Sequence, residues 1–230
     1  MELADFIIDN LIERKESELQ SGRPSRYRIN VGLIDNAQKG EYIGQELADE
    51  IMSKSPIQPT LIFGVADKGI GLMHNVIRSI NSRPGYKNLR FANDRKFPKA
   101  HGEATNTENL QDKYIIGARI SSGDTIVLTD DTLTTGGSLS RVIKLIKKIE
   151  PKTNIPCVAI LYDRQEVNLD GDDALKSFEN EHGLKVIYLR RATNLYERAL
   201  ERRDIDLADR ISFQLLHFGT EEAKGKLNEL

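Results

Sequence analysis

The sequence predicts an α/β fold, a parallel sheet flanked by helices, and three observations lead there. Short apolar runs rich in β-branched residues alternate with amphipathic stretches of helical period between residues 61 and 189. One run, Thr125-Ile126-Val127-Leu128-Thr129, ends in Asp130-Asp131, passes through Thr132-Leu133-Thr134-Thr135-Gly136-Gly137-Ser138, and opens into Leu139, Val142, Ile143 and Ile146 at helical spacing. Parallel neighbours need a long crossover between them, and helices placed between successive strands supply it.

The elements follow in order. Residues 3–20 set Leu3, Phe6, Ile7, Leu11 and Leu19 on one helical face with charges opposite, which predicts a packing helix. Ser21-Gly22-Arg23-Pro24-Ser25 breaks it, and residues 27–33 alternate as a short strand. A second amphipathic helix is expected over 41–54, with Ile43, Leu47, Ile51 and Met52 inward and Pro56 and Pro59 beyond its end. Strand 61–63, a turn over 64–69 and a helix through residue 80 come next. Further strands are expected at 89–92, 125–129, 158–162 and 185–189, with helices at 139–149 and 173–181. Two more helices are expected over 193–216, and the tail 221–230 is polar and without pattern. In such sheets ligands bind beyond the carboxyl ends of the strands, so the turn after residue 129 is where chemistry is expected.

With 230 residues, 39% hydrophobic and 30% charged, the chain is long enough for one sizeable core, and a single domain over 1–230 is expected. Its net charge of -2 gives no bulk pull toward nucleic acid or membrane, so any anion site has to be local. No apolar run approaches the roughly 20 residues of a membrane span, and residues 1–20 are acidic and amphipathic rather than a signal peptide. Cys157 is the single cysteine, which excludes an intramolecular disulfide and fits a reducing cytosol.

The central turn has the chemistry of a phosphate cradle. Gly136 and Gly137 remove the Cβ atoms that keep a ligand off the backbone, and the first amides of a helix have no internal partner. Asp130 and Asp131 would repel a phosphate unless they hold something else, such as sugar hydroxyls or a metal ion. Neither G-x-x-x-x-G-K-[ST] nor G-x-G-x-x-G is present in this turn. A strand edge with an ordinary N-cap is the simpler alternative, although a cap needs one polar residue and not a block of seven. Between Asn93 and Asp112 there is no apolar periodicity, only Asp94-Arg95-Lys96-Phe97-Pro98-Lys99-Ala100-His101-Gly102-Glu103 and a polar tail. Such a segment is either a functional lid or a solvated charge run. Taken alone, Lys68 reads equally as a surface lysine, and Arg164 as an ion-pair partner of Asp163 or Glu166. His74, His182 and His217 have no partner pattern and read as packing or surface residues.

The stretch 129–138 resembles the motif by which type I phosphoribosyltransferases bind phosphoribosyl pyrophosphate (PRPP). Four further stretches are similar to the orotate-using branch of that family: Ser21-Gly22-Arg23 with Asn30-Val31-Gly32-Leu33, Gly64-Val65-Ala66-Asp67-Lys68-Gly69-Ile70, Arg95-Lys96-x-x-Lys99-x-His101-Gly102-Glu103, and Asp163-Arg164-Gln165-Glu166. The resemblance runs from residue 20 to residue 190. It implies a parallel five-stranded sheet flanked by helices, a small N-terminal hood mainly from 1–38, and a mobile loop over 94–112. It also implies a homodimer whose loop serves the neighbouring subunit, cytoplasmic location, and no nucleic-acid or membrane partner.

The same resemblance assigns the site. Asp130 and Asp131 hold the ribose, Thr132, Leu133, Thr134, Thr135, Gly136, Gly137 and Ser138 wrap the 5-phosphate, and Asp67, Lys68, Arg95, Lys96, Lys99 and His101 face the diphosphate. Lys99, His101, Asp130 and Asp131 are the expected catalytic residues, and Arg28, Ile29, Thr134 and Arg164 the expected orotate contacts. Mg2+ is the expected cofactor, held mainly by PRPP. Departures from the family pattern are Gln20 for a lysine, Arg28-Ile29 for an aromatic pair, Asp67 for a tyrosine and Ala104-Thr105 for a glycine pair. They bear on the base rather than on PRPP. Transfer to another purine or pyrimidine, and a PRPP-sensing regulator, are the alternatives. A regulator has no use for the cations of 95–99, and one that binds DNA should carry a further basic face.

Overall fold

The computed structural model describes residues 2–19, 22–86, 89–99 and 109–229. The first helix, α1 (Leu3–Asn10), is shorter than the sequence suggests: its apolar face ends at Leu11, and the charged stretch beyond folds back on itself. There β1 (Ile12–Glu13) pairs with β4 (Arg28–Ile29), and β2 (Ser17–Glu18) pairs with β3 (Pro24–Ser25), both antiparallel. These ribbons form the hood. The strand expected over 27–33 shrinks to β4, because Asn30 Oδ1 accepts the Gly32 amide at 3.0 Å and winds Val31–Leu33 into a 3-10 turn. Helix α2 (Ala37–Lys54) starts four residues earlier than residue 41, where Asn36 caps it by accepting the Lys39 amide at 3.0 Å.

The sheet then builds through β5 (Leu61–Gly64), α3 (Lys68–Asn81), β6 (Arg90–Asp94), α4 (Leu110–Tyr114), β7 (Ile115–Gly117) and β8 (Thr125–Leu133). It continues with α5 (Gly137–Ile149), β9 (Asn154–Asp163), α6 (Ala174–His182) and β10 (Lys185–Arg191). Its order is β10-β9-β8-β5-β6-β7. The five expected strands are parallel, and β7 adds a sixth, antiparallel to β6 at the edge. Only Ile115 and Ile116 of β7 are strongly apolar, too little for a sequence signal. After α7 (Ala192–Glu201) and α8 (Ile205–Phe218), the polar tail is not patternless: Glu221–Glu229 form α9, with Ala223 buried and Leu227 packed against the core.

Alternate strand residues serve opposite faces. Ile62 and Val127 pack with α1, α2, α3, α7 and α8, while Leu61, Phe63, Ile126 and Leu128 pack with α5 and α6. Covering both faces explains why the strands read as continuous apolar runs. Strand β8 outruns β5, whose last partner is Thr129, and continues beside β9 to the Leu133–Asp163 pairing. The carboxyl ends of β5, β8 and β9 therefore share one edge of the sheet, where the chain's polar turns converge.

Candidate active site

At the overhang of β8, Asp130 is 8% exposed and its pKa is pushed up to about 8, first by burial and then by the adjacent Asp131 carboxylate. Asp131 is less enclosed and accepts Lys68 Nζ at 2.9 Å. The carboxylates also organise the strand end, since Asp130 Oδ1 accepts the Asp131 amide at 2.9 Å and Asp131 Oδ1 accepts the Thr132 amide at 2.8 Å. The strand end thus carries one neutral-leaning and one ion-paired carboxyl side by side.

Beyond them Gly136 takes φ 70°, and a Cβ there would lie 2.5 Å from Phe178 Cδ2, so the turn needs glycine both for its dihedral and for its packing on α6. Helix α5 begins at the next residue without a side-chain cap, which leaves its first amides directed at whatever fills the turn. Leu133 is buried, so it can offer a ligand its backbone but not its side chain. Thr134, Thr135, Gly137 and Ser138 are half-buried or exposed along the rim.

The turn after β5 approaches β8 closely. Val65 N donates to Thr129 O at 3.0 Å, Thr129 Oγ1 donates to Gly69 O at 3.1 Å, and a Cβ on Gly69 would run into the Thr129 carbonyl. This approach places Lys68, in the first turn of α3, across from Asp131. The Ala66–Asp67 peptide within the turn is cis. Exposed Asp67 accepts Lys96 Nζ at 3.1 Å, so the root of the 94–112 segment lies over the same turn.

That segment is not wholly without structure. Asp94 ends β6, Arg95 N donates to Tyr114 O at 2.7 Å, Lys99 N donates to Lys113 O at 3.1 Å, and Asn109 caps α4 through the Gln111 amide. Arg95 Nε is buried without a hydrogen-bond partner, and Lys96 and Lys99 are exposed. His101 lies outside the described residues, as does Gln20.

The residues expected to face the base are arranged differently from that expectation. Ile29 is 4% exposed and packs in the core, so its side chain does not line the opening. Arg28 is tied to Glu13, which also accepts Asn30 Nδ2 at 3.1 Å, and the Arg28 hydrogen bond draws the Glu13 pKa down to about 2. Arg164 follows β9 directly and is 2% exposed; its Nε donates to Glu166 Oε1 at 2.6 Å and its Nη2 to Ser25 Oγ at 3.0 Å. Burial would pull its charge away, but Tyr27, Glu166 and Tyr162 outweigh that and the net shift is upward. Of the two readings of Arg164, the ion pair with Glu166 is present.

Sequence reasoning missed the parts that hold these groups in place. Arg23 of the hood donates to Val167 O at 2.5 Å and Asn168 O at 2.8 Å, and Gln214 of α8 donates to Glu166 Oε1 at 3.0 Å. A further pair, buried Asp94 with the more exposed Arg141, joins β6 to α5. These partners are dozens to more than a hundred residues apart, and no local pattern announces them.

A buried carboxylate beside an ion-paired one, an uncapped glycine turn and the lysine paired with Asp131 come together at the carboxyl edge of a parallel sheet, where such folds bind their ligands. The family model of the phosphoribosyl transferase domain matches residues 30–189, and the chain belongs to that family. Among its members, the chain is similar to orotate phosphoribosyltransferases. That of Bifidobacterium longum is 28% identical over 222 residues, 92% of this chain and 90% of the relative. That of Chromohalobacter salexigens is 29% identical over 192 residues, 81% and 76% of the two chains. The crystal structure of orotate phosphoribosyltransferase from Francisella tularensis shares the fold with a TM-score of 0.72 at 24% identity, covering 94% of this chain and 98% of that one. No helix among the described residues is long and apolar enough to cross a membrane.

Proposed function

We propose that the chain is an orotate phosphoribosyltransferase, moving the 5-phosphoribosyl group of PRPP to orotate and yielding orotidine 5-phosphate and pyrophosphate. The observation that carries this is Lys68 set 2.9 Å from Asp131 beside the open Gly136–Gly137 turn, which gives one cation, two carboxylates and a phosphate cradle in a single opening. In the reaction a ring nitrogen of the base gives up its proton and forms a bond to the anomeric carbon as the bond from that carbon to the diphosphate oxygen breaks; the electron pair leaves with pyrophosphate, whose oxygens or solvent take up the proton. Positive charge grows on the sugar next to Asp130 and Asp131, and negative charge grows on the leaving group next to Lys68, Arg95, Lys96 and Lys99. His101 donates a hydrogen bond or proton to the departing diphosphate. With the 94–112 segment closed, water is kept from the reacting carbon.

Mg2+ would arrive with PRPP, and Asp130 and Asp131 are the carboxylates that would hold it there. When bound, it neutralises charge developing on the leaving group. Arg164 takes the carboxylate of orotate by giving up its bond to Ser25 Oγ, with Thr134 as the second orotate contact. Tying of Arg28 to Glu13 and of Arg164 to Glu166 also favours testing bases that carry no carboxylate. The reaction is placed in the cytosol, and the active form is a homodimer in which each loop serves the neighbouring site. Mixing inactive Lys99→Ala chains with inactive Asp131→Asn chains restores activity if loops are exchanged and leaves it absent if they are not.

The deciding assay follows pyrophosphate release by the purified protein with PRPP and Mg2+ against a panel of bases. Release with orotate above all others is expected. Release only with another base replaces the acceptor in this reading, and release with none of them overturns it.

A further inference from the structure

Asp94 is fully buried, and its carboxylate oxygens go to two different parts of the site. Oδ1 accepts the Ala66 amide at 2.8 Å, in the turn that carries Lys68, and Oδ2 accepts Arg141 Nη2 at 2.6 Å, one helical turn beyond the phosphate cradle. Asp94 is itself the last residue of β6, and the next residue begins the cationic 95–99 run. One carboxylate therefore touches all three segments that surround PRPP in the proposed reaction. None of its partners is a sequence neighbour.

We infer that Asp94 and Arg141 form a strut that positions the 64–69 turn, and with it Lys68, against the diphosphate end of the substrate. The inference rests on the PRPP reading of this opening and adds two positioning residues to it. A buried carboxylate needs partners for its charge, and the two it has here are directional charge-assisted bonds. Arg141 supplies the opposite charge, and the Ala66 N–H then has one place to point. With the turn also fixed at its two ends by the Thr129–Val65 and Thr129–Gly69 bonds, Lys68 has little freedom to drift from Asp131. Without the strut those two bonds remain, but the Ala66 amide between them loses its anchor. The cradle for the 5-phosphate does not depend on Asp94, because it stands on the Gly136 turn, the α5 amides and Phe178. The strut thus acts on one half of the ligand.

The test is calorimetric titration of the parent, Asp94→Asn, Arg141→Gln and Arg141→Lys with three probes: Mg2+-PRPP, inorganic pyrophosphate with Mg2+, and ribose 5-phosphate. Asp94→Asn and Arg141→Gln are expected to weaken pyrophosphate and PRPP by about tenfold, the size of one lost charged hydrogen bond. Ribose 5-phosphate affinity stays at the parent value. Arg141→Lys recovers part of the loss, and the double variant Asp94→Asn with Arg141→Gln is no worse than the poorer single variant, as for one shared interaction. Arg141 is partly exposed, so its variants carry the test even where Asp94→Asn fails to fold. Equal loss for all three probes marks a merely structural pair and overturns the strut, as does unchanged pyrophosphate affinity in both Arg141 variants. A parent that binds none of the probes overturns the PRPP reading itself, which is a different result from a variant that binds all three as the parent does.

Discussion

At the scale of single residues the site is dominated by Asp130. Its pKa is pushed from 3.8 up to about 8, so between those values the folded chain holds a proton that the unfolded chain has released. That contribution to stability is therefore complete below the lower value and is lost as pH rises through the upper one. Ligand-free Asp130→Asn, which carries no such charge, is expected to melt with a shallower fall over this range than the parent, and to exceed the parent's Tm at the alkaline end. Parallel melting curves across pH would show that Asp130 is ionised in the folded chain. The same residue gives binding a signature. A substrate arriving with a cation favours the ionised carboxyl, so near neutral pH PRPP binding should release a proton, read from the dependence of calorimetric heats on buffer.

At the scale of elements, the 64–69 turn approaches β8 closely, and the proposed reaction depends on that approach. Gly69→Ala forces a Cβ against the Thr129 carbonyl, and backbone has no rotamer with which to move aside. A loss on the order of 3 kcal/mol is expected from such overpacking, measured by denaturant unfolding. If stability is unchanged, the approach is looser than described here. In the proposed reaction the 95–99 cations make contacts that strengthen as the diphosphate departs. Lys99→Ala is thus expected to lower kcat far more than it weakens PRPP. Equal turnover in variant and parent would take Lys99 out of the chemistry. The hood shows a different balance: its two-residue strands pair with each other, and long-range side-chain bonds, Arg23 to Val167 O and Asn168 O and Arg164 to Ser25 Oγ, tie them to the segment after β9.

At the scale of the whole molecule, Arg164 joins the end of β9 to the hood through Ser25 and, by way of Glu166, to α8 through Gln214. Arg164→Ala leaves Glu166 buried beside only a neutral amide and the more distant Arg23, and a loss of about 3–5 kcal/mol is expected from breaking such a pair. Calorimetry on the folded fraction should also show weaker orotate and unaltered PRPP; the reverse would remove Arg164 from the base site. The sequence by itself determined the five parallel strands, the helices between them and the β8–α5 turn, because apolar periodicity and glycine placement act over a few residues. It also made Asp130 and Asp131 legible beside the glycine turn, since these residues are adjacent, whereas Lys68 and the 95–99 cations joined them only through the resemblance to the phosphoribosyltransferase motifs. Only the tertiary structure decided that α1 stops at Asn10, that the tail is a helix, that Ile29 faces the core, and that Arg28 and Arg164 are already paired. Those outcomes turn on contacts between residues far apart in the chain, where a buried charge takes whichever partner the packed fold brings within hydrogen-bond reach.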